Sequence, residues 1–592
     1  CLVGSEMCIR DSKIHIKNRS YTEWDCMTSH DMNIIELDGL EPTKEKLLSG
    51  DVFDINDDNN VSIISSPTRK IETIPGVLDL KSNRTYGREM SGKRRLLHRV
   101  VPDDIRLPVF LVPYEQKYMG FSKVFSNLYV TIRFQSWEGK HPCGTIMSTI
   151  GSVEVLANFY EYQLYCRSLY ASIQRFNKDT TKRVRQLSES GGGMEGIIET
   201  HKSFIEDRRG SEWNVFTIDP VNSVDFDDGF SIKEEKDSIV ISVYIANVTL
   251  LLDAMNLWDS FSNRVATIYL PDRKRPMLPT ILSDNLCSLQ QNVTRFAMTM
   301  DVNINKNTYE IQDVSYKNCV VCVSRNYRYQ EADLLDLSDY TLLEETVRKL
   351  SQKYKYIRMI HNSHEVVSYM MTMMNYFCAK SLLEKREGLF RNSVFKNDNI
   401  HISEELPEEI SNFIKIWYSS GGQYINAASL EDDISLVRHE LMDMDAYIHI
   451  TSPIRRLVDL LNMIKFQQIH SLVTLSSQCY EFYDKWTNTE TLEYINTSMR
   501  SIRKIQSDCS MIEYYTDNTN VTEKQYEGVM FDKVVRHDDM YKYVVYLSEL
   551  KLTMRVYIPN DYPNFTRKKF KIFLFHDEDT LKKKVRLQLM ET

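Results

Sequence analysis

Phe216-Thr-Ile-Asp219-Pro-Val-Asn-Ser-Val-Asp225-Phe-Asp227-Asp228-Gly-Phe-Ser231 places four aspartates in ten residues and separates them with apolar residues instead of lysine or arginine. Carboxylates so close repel one another, and apolar neighbours point to partial burial, which raises the cost of ionising them. A divalent cation relieves that cost. Magnesium takes a few carboxylates and completes its octahedron with water and phosphate oxygens. Two such ions, roughly 3.5–4 Å apart, activate a water and hold the leaving oxygen of a phosphodiester. An EF-hand does not fit, since Gly229 falls at the fifth position counted from Asp225 and no Glu closes the loop. A solvated acidic turn is the ordinary reading of Asp-Asp-Gly taken by itself.

Two further blocks weigh against that ordinary reading. Tyr269-Leu-Pro271-Asp-Arg273-Lys-Arg275-Pro276-Met277-Leu278-Pro279 sets three cations among three prolines and continues through Leu282-Ser283 to Ser288-Leu289 and Arg295. Tyr447-Ile-His449-Ile-Thr451-Ser452-Pro453-Ile454-Arg455-Arg456 puts a proline near the first turn of a helix, with Arg455 and Arg456 expected just inside it. Paired arginines there suit phosphates, and the helix N-terminus adds its dipole.

Composition bounds the remainder. The chain has 592 residues, 42% hydrophobic and 26% charged, with a net charge of -9. Disordered and collagenous chains are excluded, as is an undifferentiated polycation, whereas a local basic groove is compatible. No apolar run reaches the roughly 18 residues of a membrane span. Eleven cysteines without repeated tight spacing predict reduced thiols in a soluble intracellular protein, cytoplasmic rather than nuclear. Cys319 and Cys322 sit in a β-branched run and read as strand core.

Residues 1–12 (CLVGSEMCIRDS) read as a non-native scar. Residues 13–75 mix short strands and polar turns, and 76–185 read as a small barrel with a trailing helix over Phe159 to Arg185. Gly191-Gly192-Gly193 marks a flexible linker at 186–199. The section 200–515 opens with strands and turns helical, with Val366, Val367, Met370, Met371 and Met374 recurring as a core face. Residues 520–592 return to strand and form another barrel, carrying the basic runs Arg567-Lys568-Lys569 and Lys582-Lys583-Lys584.

The three blocks, in this order, resemble the ribonuclease II (RNB-domain) family of 3′→5′ exoribonucleases, which includes ribonuclease R and the Dis-type exosome nuclease. The resemblance covers about 76–592. It implies a multidomain α+β fold with two N-terminal cold-shock-like OB barrels, a central α/β catalytic domain and a C-terminal OB-type RNA-binding barrel. It also implies processive hydrolysis of single-stranded RNA to nucleoside 5′-monophosphates with Mg2+, or Mn2+ in its place, two ions acting together. Carried over by residue, Asp219 and Asp228 would be the main metal ligands, and Asp225 and Asp227 would support the second ion and the attacking water. Arg455, with Arg456 beside it, would hold the scissile phosphate, and Tyr269 and Tyr329 would contact the terminal nucleotides. An RNA-decay complex is the protein partner implied. With no repeat or heptad pattern, a monomer is the default.

The chain departs from the pattern in several places. A helix expected to end at Asn375 carries Ser368-Tyr369 where the family has a ribose-contacting Glu, and Gln506 stands near the place of a second Glu. The stretch from Arg358 to Val366 is shorter than in relatives, with an end-clamping aromatic in doubt. These changes bear on RNA-over-DNA selection, because a ribose 2′-OH is read by such contacts. The alternative to an enzyme is a catalytically silent RNA-binding protein on the same scaffold.

Overall fold

The computed structural model describes residues 12–590 apart from 30, 32, 38, 57–59, 90–92, 116–124, 190–191, 357–359, 394–405, 419–421, 431–433, 519–522, 537–539 and 578–580. The segment read as a scar therefore lies outside the described residues except for Ser12, which opens the strand Ser12–Ile16. The chain divides into two compact units. One comprises the residues up to Tyr170, Leu270–Asp272 and those from Lys504 on; the other comprises Ala171–Tyr269 and Arg273–Arg503.

In the second unit seven strands make one mixed sheet, in the order Ile205–Arg208, Ile311–Cys322, Thr294–Asn305, Ser238–Ala246, Asp228–Glu234, Phe216–Asp219 and Arg325–Arg328. Ile239, Ile241, Val243 and Ile245 lie opposite Ile304, Val302, Met300 and Met298 on the next strand. The two-residue period of a strand thereby stacks eight apolar side chains on one face. The helices Ser338–Lys353, Ser363–Glu384 and Leu457–Ile469 bury Leu343, Val347, Val366, Met370, Met374, Met463 and Phe466 in the same core. The opposite face carries a polar pair: Arg208, 1% exposed, donates to both carboxylate oxygens of Asp301 at 2.8 and 2.6 Å. Cys319 is buried in its strand as expected, and the described cysteines are free thiols.

Helix boundaries differ from the sequence reading in three places. The helix predicted to end at Asn375 runs on to Glu384, because the Asn375 amide is satisfied in mid-helix by Tyr447 Oη at 3.0 Å and the Ile450 N–H at 3.0 Å. The helix predicted over Phe159–Arg185 is two helices, Leu156–Cys166 and Gln174–Glu189. Ser168 adopts φ +55° between them, and the Leu169 N–H closes on the Leu164 carbonyl at 2.8 Å, a Schellman stop made without glycine. Most of the linker expected over 186–199 is helical, in Gln174–Glu189 and Gly193–Thr200. The first of these is anchored by Phe176 against Phe261, ring centroids 5.2 Å apart.

In the other unit, the strands Ile74–Leu78, Leu97–Pro102, Phe110–Pro113, Leu128–Ser136 and Cys143–Ser152 close into a barrel. The first five strands, within 12–65, and the last five, within 525–589, form five-stranded sheets whose ladders are open in order. The basic run Lys582–Lys584 opens the strand Lys582–Leu589, one of the two edge strands of the last sheet. Among the described residues no helix is long and apolar enough to cross a membrane.

Candidate active site

Two neighbouring strands end at the aspartate block. Asp219 closes Phe216–Asp219, and Asp228 opens Asp228–Glu234, paired with Ile245. The loop between them turns at Pro220–Ser223, where Asn222 takes φ +72°, a conformation that asparagine tolerates well. Ser288 splints the rest of the loop. Its hydroxyl accepts from the Phe226 N–H at 3.0 Å and donates to the Val224 carbonyl at 2.9 Å, while the Leu289 N–H bonds the Phe226 carbonyl at 3.0 Å.

The four carboxylates do different things. Asp227 is 1% exposed; its Oδ1 accepts from the Ile454 N–H at 3.0 Å and its Oδ2 from Arg455 Nε at 2.9 Å. Asp225 accepts from Lys274 Nζ at 3.0 Å and from Tyr269 Oη at 3.2 Å. Asp219 keeps one oxygen, Oδ2, buried without a partner. Burial, with Asp227 adding repulsion, pushes Asp219 up to about 7, and burial with Asp219 nearby pushes Asp228 up to about 8. Asp227 also reaches about 7, since burial outweighs the attraction of Arg455.

The four expected ligands line one cavity but differ in what they touch. Among the described residues no three His, Cys, Asp or Glu side chains are grouped so as to hold an ion. The reason is local: Asp225 and Asp227 are each turned onto a cation of the protein. Asp228 is buried and Asp219 half-buried; the two carboxylates repel one another, and Asp219 Oδ2 is buried without a partner. Hard carboxylate donors that retain open positions suit Mg2+ or Mn2+.

All four aspartates line one cavity of about 1020 Å³, together with Tyr269, Lys274, Tyr329, Arg455 and Arg456. Tyr329 follows the strand Arg325–Arg328, which runs parallel to Phe216–Asp219, and its N–H bonds the Asp219 carbonyl at 3.0 Å. Its ring lies 5.1 Å from that of His364. Tyr269 lies beside Arg455 because Ala266 bridges Arg456 and the Thr267 N–H bonds the Arg455 carbonyl at 2.9 Å. Burial works against the Arg455 charge, yet Asp227 holds its pKa above the ordinary value. The helix starts only at Leu457, with Arg456 as its cap, so both arginines precede it instead of lying inside. A turn closed by the Arg455 and Arg456 N–H groups on the Ser452 carbonyl shapes the approach, and Arg456 pairs with Asp459 at 2.9 Å.

Among the departures, Ser368 lines the cavity, while Tyr369 is buried away from solvent with its hydroxyl on the Tyr354 carbonyl at 3.0 Å. Gln506 lies on the helix Thr489–Asp517, in the portion belonging to the other unit. Residues 357–359, in the shortened stretch, lie outside the described residues. The reading of the sequence gave no role to Lys274, Ser288, Asn375, Tyr447 or His449, although all but Asn375 stand inside the quoted blocks. His449 accepts or donates at 2.8 Å with Tyr424 Oη, and burial beside Arg456 and Arg391 holds its pKa well below the usual value.

Residues 208–359 match the RNB domain family. Ribonuclease R of Acidithiobacillus ferrooxidans is 28% identical over 211 residues, covering 35% of this chain and 46% of that protein, so the match spans under half of the relative's length. In fold the chain is similar to Mycoplasma genitalium RNase R in complex with ribose methylated single-stranded RNA, with a TM-score of 0.69, 15% identity and coverage of 98% and 100% of the two chains. It is also similar to yeast Ssd1, a pseudonuclease, with a TM-score of 0.59, 12% identity and coverage of 96% and 81%. Matched domain, sequence relatives and shared fold agree: residues 208–359 match the RNB domain, and the chain is similar to ribonuclease R in sequence over part of its length and in fold over nearly all of it.

Proposed function

We propose that the chain is a magnesium-dependent 3′→5′ exoribonuclease that hydrolyses single-stranded RNA processively to nucleoside 5′-monophosphates. The observation that carries this reading is the pair Asp219 and Asp228, which line one cavity with Arg455 and are raised towards neutral pH by desolvation and mutual repulsion, Asp219 Oδ2 being buried without a partner. A buried carboxylate oxygen left without a partner costs stability, and a protein that only bound RNA has no need of it. These two residues would hold the cation, which when bound supplies Lewis acidity to a phosphate and lowers the pKa of a water. Arg455, steadied by Asp227, presents its remaining donors to a non-bridging phosphate oxygen. Tyr329 and Tyr269 offer ring faces to the sugar and base, contacts that need no sequence code.

The test is a denaturing gel of 5′-labelled single-stranded RNA with Mg2+, wild type beside Asp228→Asn. A short end product from wild type alone is the expected result. Intact RNA in both lanes with a shifted band on a native gel would favour the silent RNA-binding protein, a reading helped by Asp225 and Asp227 being engaged by Lys274 and Arg455.

A further inference from the structure

We propose that the Lys274 ammonium stands where a second divalent cation would sit beside Asp225, so that this chain uses one exchangeable metal ion and one built-in positive charge. This rests on the metal-dependent reading above and deepens it.

The geometry is specific. Lys274 and Tyr269 are directly opposed in the short ladder Ile268–Tyr269 with Lys274–Arg275. From that one cross-strand pair, Lys274 Nζ reaches Asp225 Oδ1 at 3.0 Å and Tyr269 Oη reaches Asp225 Oδ2 at 3.2 Å. Both oxygens of the carboxylate are taken. Lys274 Nζ also lies 2.9 Å from Asp284 Oδ1, so it bridges two carboxylates. Its side chain is 23% exposed and Asp225 is 11% exposed, which separates this pair from a surface ion pair.

The hairpin that carries Lys274 is fixed at its base. Ile268 and Arg275 are buried, the Thr267 N–H bonds the Arg455 carbonyl, and the Met277 N–H bonds Thr267 Oγ1 at 3.0 Å. A divalent ion on Asp225 would have to displace the ammonium from two carboxylates at once and then lie beside its positive charge. Asp219 and Asp228 have no such competitor: no ion pair involves either of them among the described residues.

An ammonium carries three donors. Two are used on Asp225 and Asp284, and the third is available to a phosphate oxygen in the cavity that Lys274 lines. Lys274 thus neutralises Asp225 and contributes one fixed charge to the substrate's phosphate. Asp219 and Asp228 would still hold the one ion, which when bound would supply the lowered pKa of a water.

The experiment counts bound Mn2+ by electron paramagnetic resonance on the full chain, with a 2′-O-methylated single-stranded RNA of about 12 nucleotides present, a length set by the site sizes of single-strand-binding folds. Wild type is expected to bind one ion, Lys274→Met two, and Lys274→Arg one. The two ions of Lys274→Met should show the dipolar broadening of a pair roughly 3.5–4 Å apart. Two ions on wild type, or a single ion on a folded Lys274→Met, would overturn the proposal. The wild-type count remains decisive should Lys274→Met fail to fold. No Mn2+ on any of the three proteins would instead sink the metal-dependent reading, and this proposal with it.

Discussion

Arg455 and Asp227 lie 228 residues apart in the chain and 2.9 Å apart in the fold, with the N–H of the preceding residue, Ile454, on the other oxygen of the same carboxylate. One buried acid thus fixes two consecutive residues of a distant loop. A second donor of Arg455 reaches Ser452 Oγ at 3.1 Å, so the guanidinium plane is set before any phosphate arrives. Pre-set donors lose little freedom when charge develops on the substrate.

Replacing Arg455 with lysine keeps the charge and loses the planar fork. Single-turnover cleavage should slow by about 10²-fold, the scale of losing one aligned donor, while RNA affinity measured by fluorescence anisotropy changes far less. An equal loss in both would mean that Arg455 serves binding only. Because its side chain is 45% exposed, the pair adds only about 1 kcal/mol to stability, so chemical melts of the variant should barely move.

Ser288 is fully buried and links the aspartate loop at Phe226 and Val224. Ser288→Ala leaves an N–H and a carbonyl unsatisfied, and about 1–3 kcal/mol of stability should go with them. The rate should fall with little change in RNA affinity, since Asp225 and Asp227 flank the freed residue. Unaltered kinetics would show that the loop holds its shape without the splint.

The buried Arg208–Asp301 pair is under another tension. Trp213 stacks 3.9 Å above the Arg208 guanidinium, and Ser242 Oγ donates to Asp301 Oδ1 at 2.7 Å. Asp301→Ala leaves the buried Arg208 with Glu206 as its one remaining carboxylate, at 2.8 Å, and should cost about 3 kcal/mol in urea melts, whereas removing both charges, as Arg208→Met with Asp301→Leu, should recover much of it. A double variant as unstable as the single one would contradict a charge-burial cause.

Acid should weaken the unit that holds His439 and His449 before general acid denaturation sets in. Burial, with Arg391 adding repulsion, brings His439 down to about 4, and His449 is shifted in the same direction. Between about pH 6.5 and 4 the unfolded chain holds protons on these imidazoles that the native state does not, so their contribution is complete above the unfolded pKa and is lost as pH falls. A drop on the order of 2–3 kcal/mol across that window is expected for His439, measured by urea midpoints against pH, with His439→Phe giving a flatter curve. Parallel curves would assign the acid sensitivity elsewhere.

The helices show where local reading falls short. A stop at Ser168 in the left-handed region is made by backbone bonds to Tyr165 and Leu164, and serine is not the residue that announces such a stop. Asn375 resembles a helix end in sequence, yet Tyr447 and Ile450, more than 70 residues away, satisfy its amide and let the helix continue. Arg456 caps its helix through backbone geometry, its side chain pairing with Asp459 and accepting nothing from the helix's free N–H groups.

The aspartate block, the Tyr269–Pro279 block and the Tyr447–Arg456 block stood out in the sequence, because charges packed among apolar residues carry an electrostatic cost, and the roles given to their residues came from the resemblance that the three blocks share with one family. The strands that open the section from residue 200 were likewise legible, since a short apolar run rich in β-branched residues needs no distant partner to be seen. Which carboxylate faces a cation of the protein and which is left open was decided only by the tertiary structure. Lys274 reaches Asp225 across 49 residues, Arg455 reaches Asp227 across 228, and Asp219 keeps an unpaired oxygen. The physical reason is that an ion pair depends on distance in space, and a linear sequence records none of the folding that brings those atoms within 3 Å of one another.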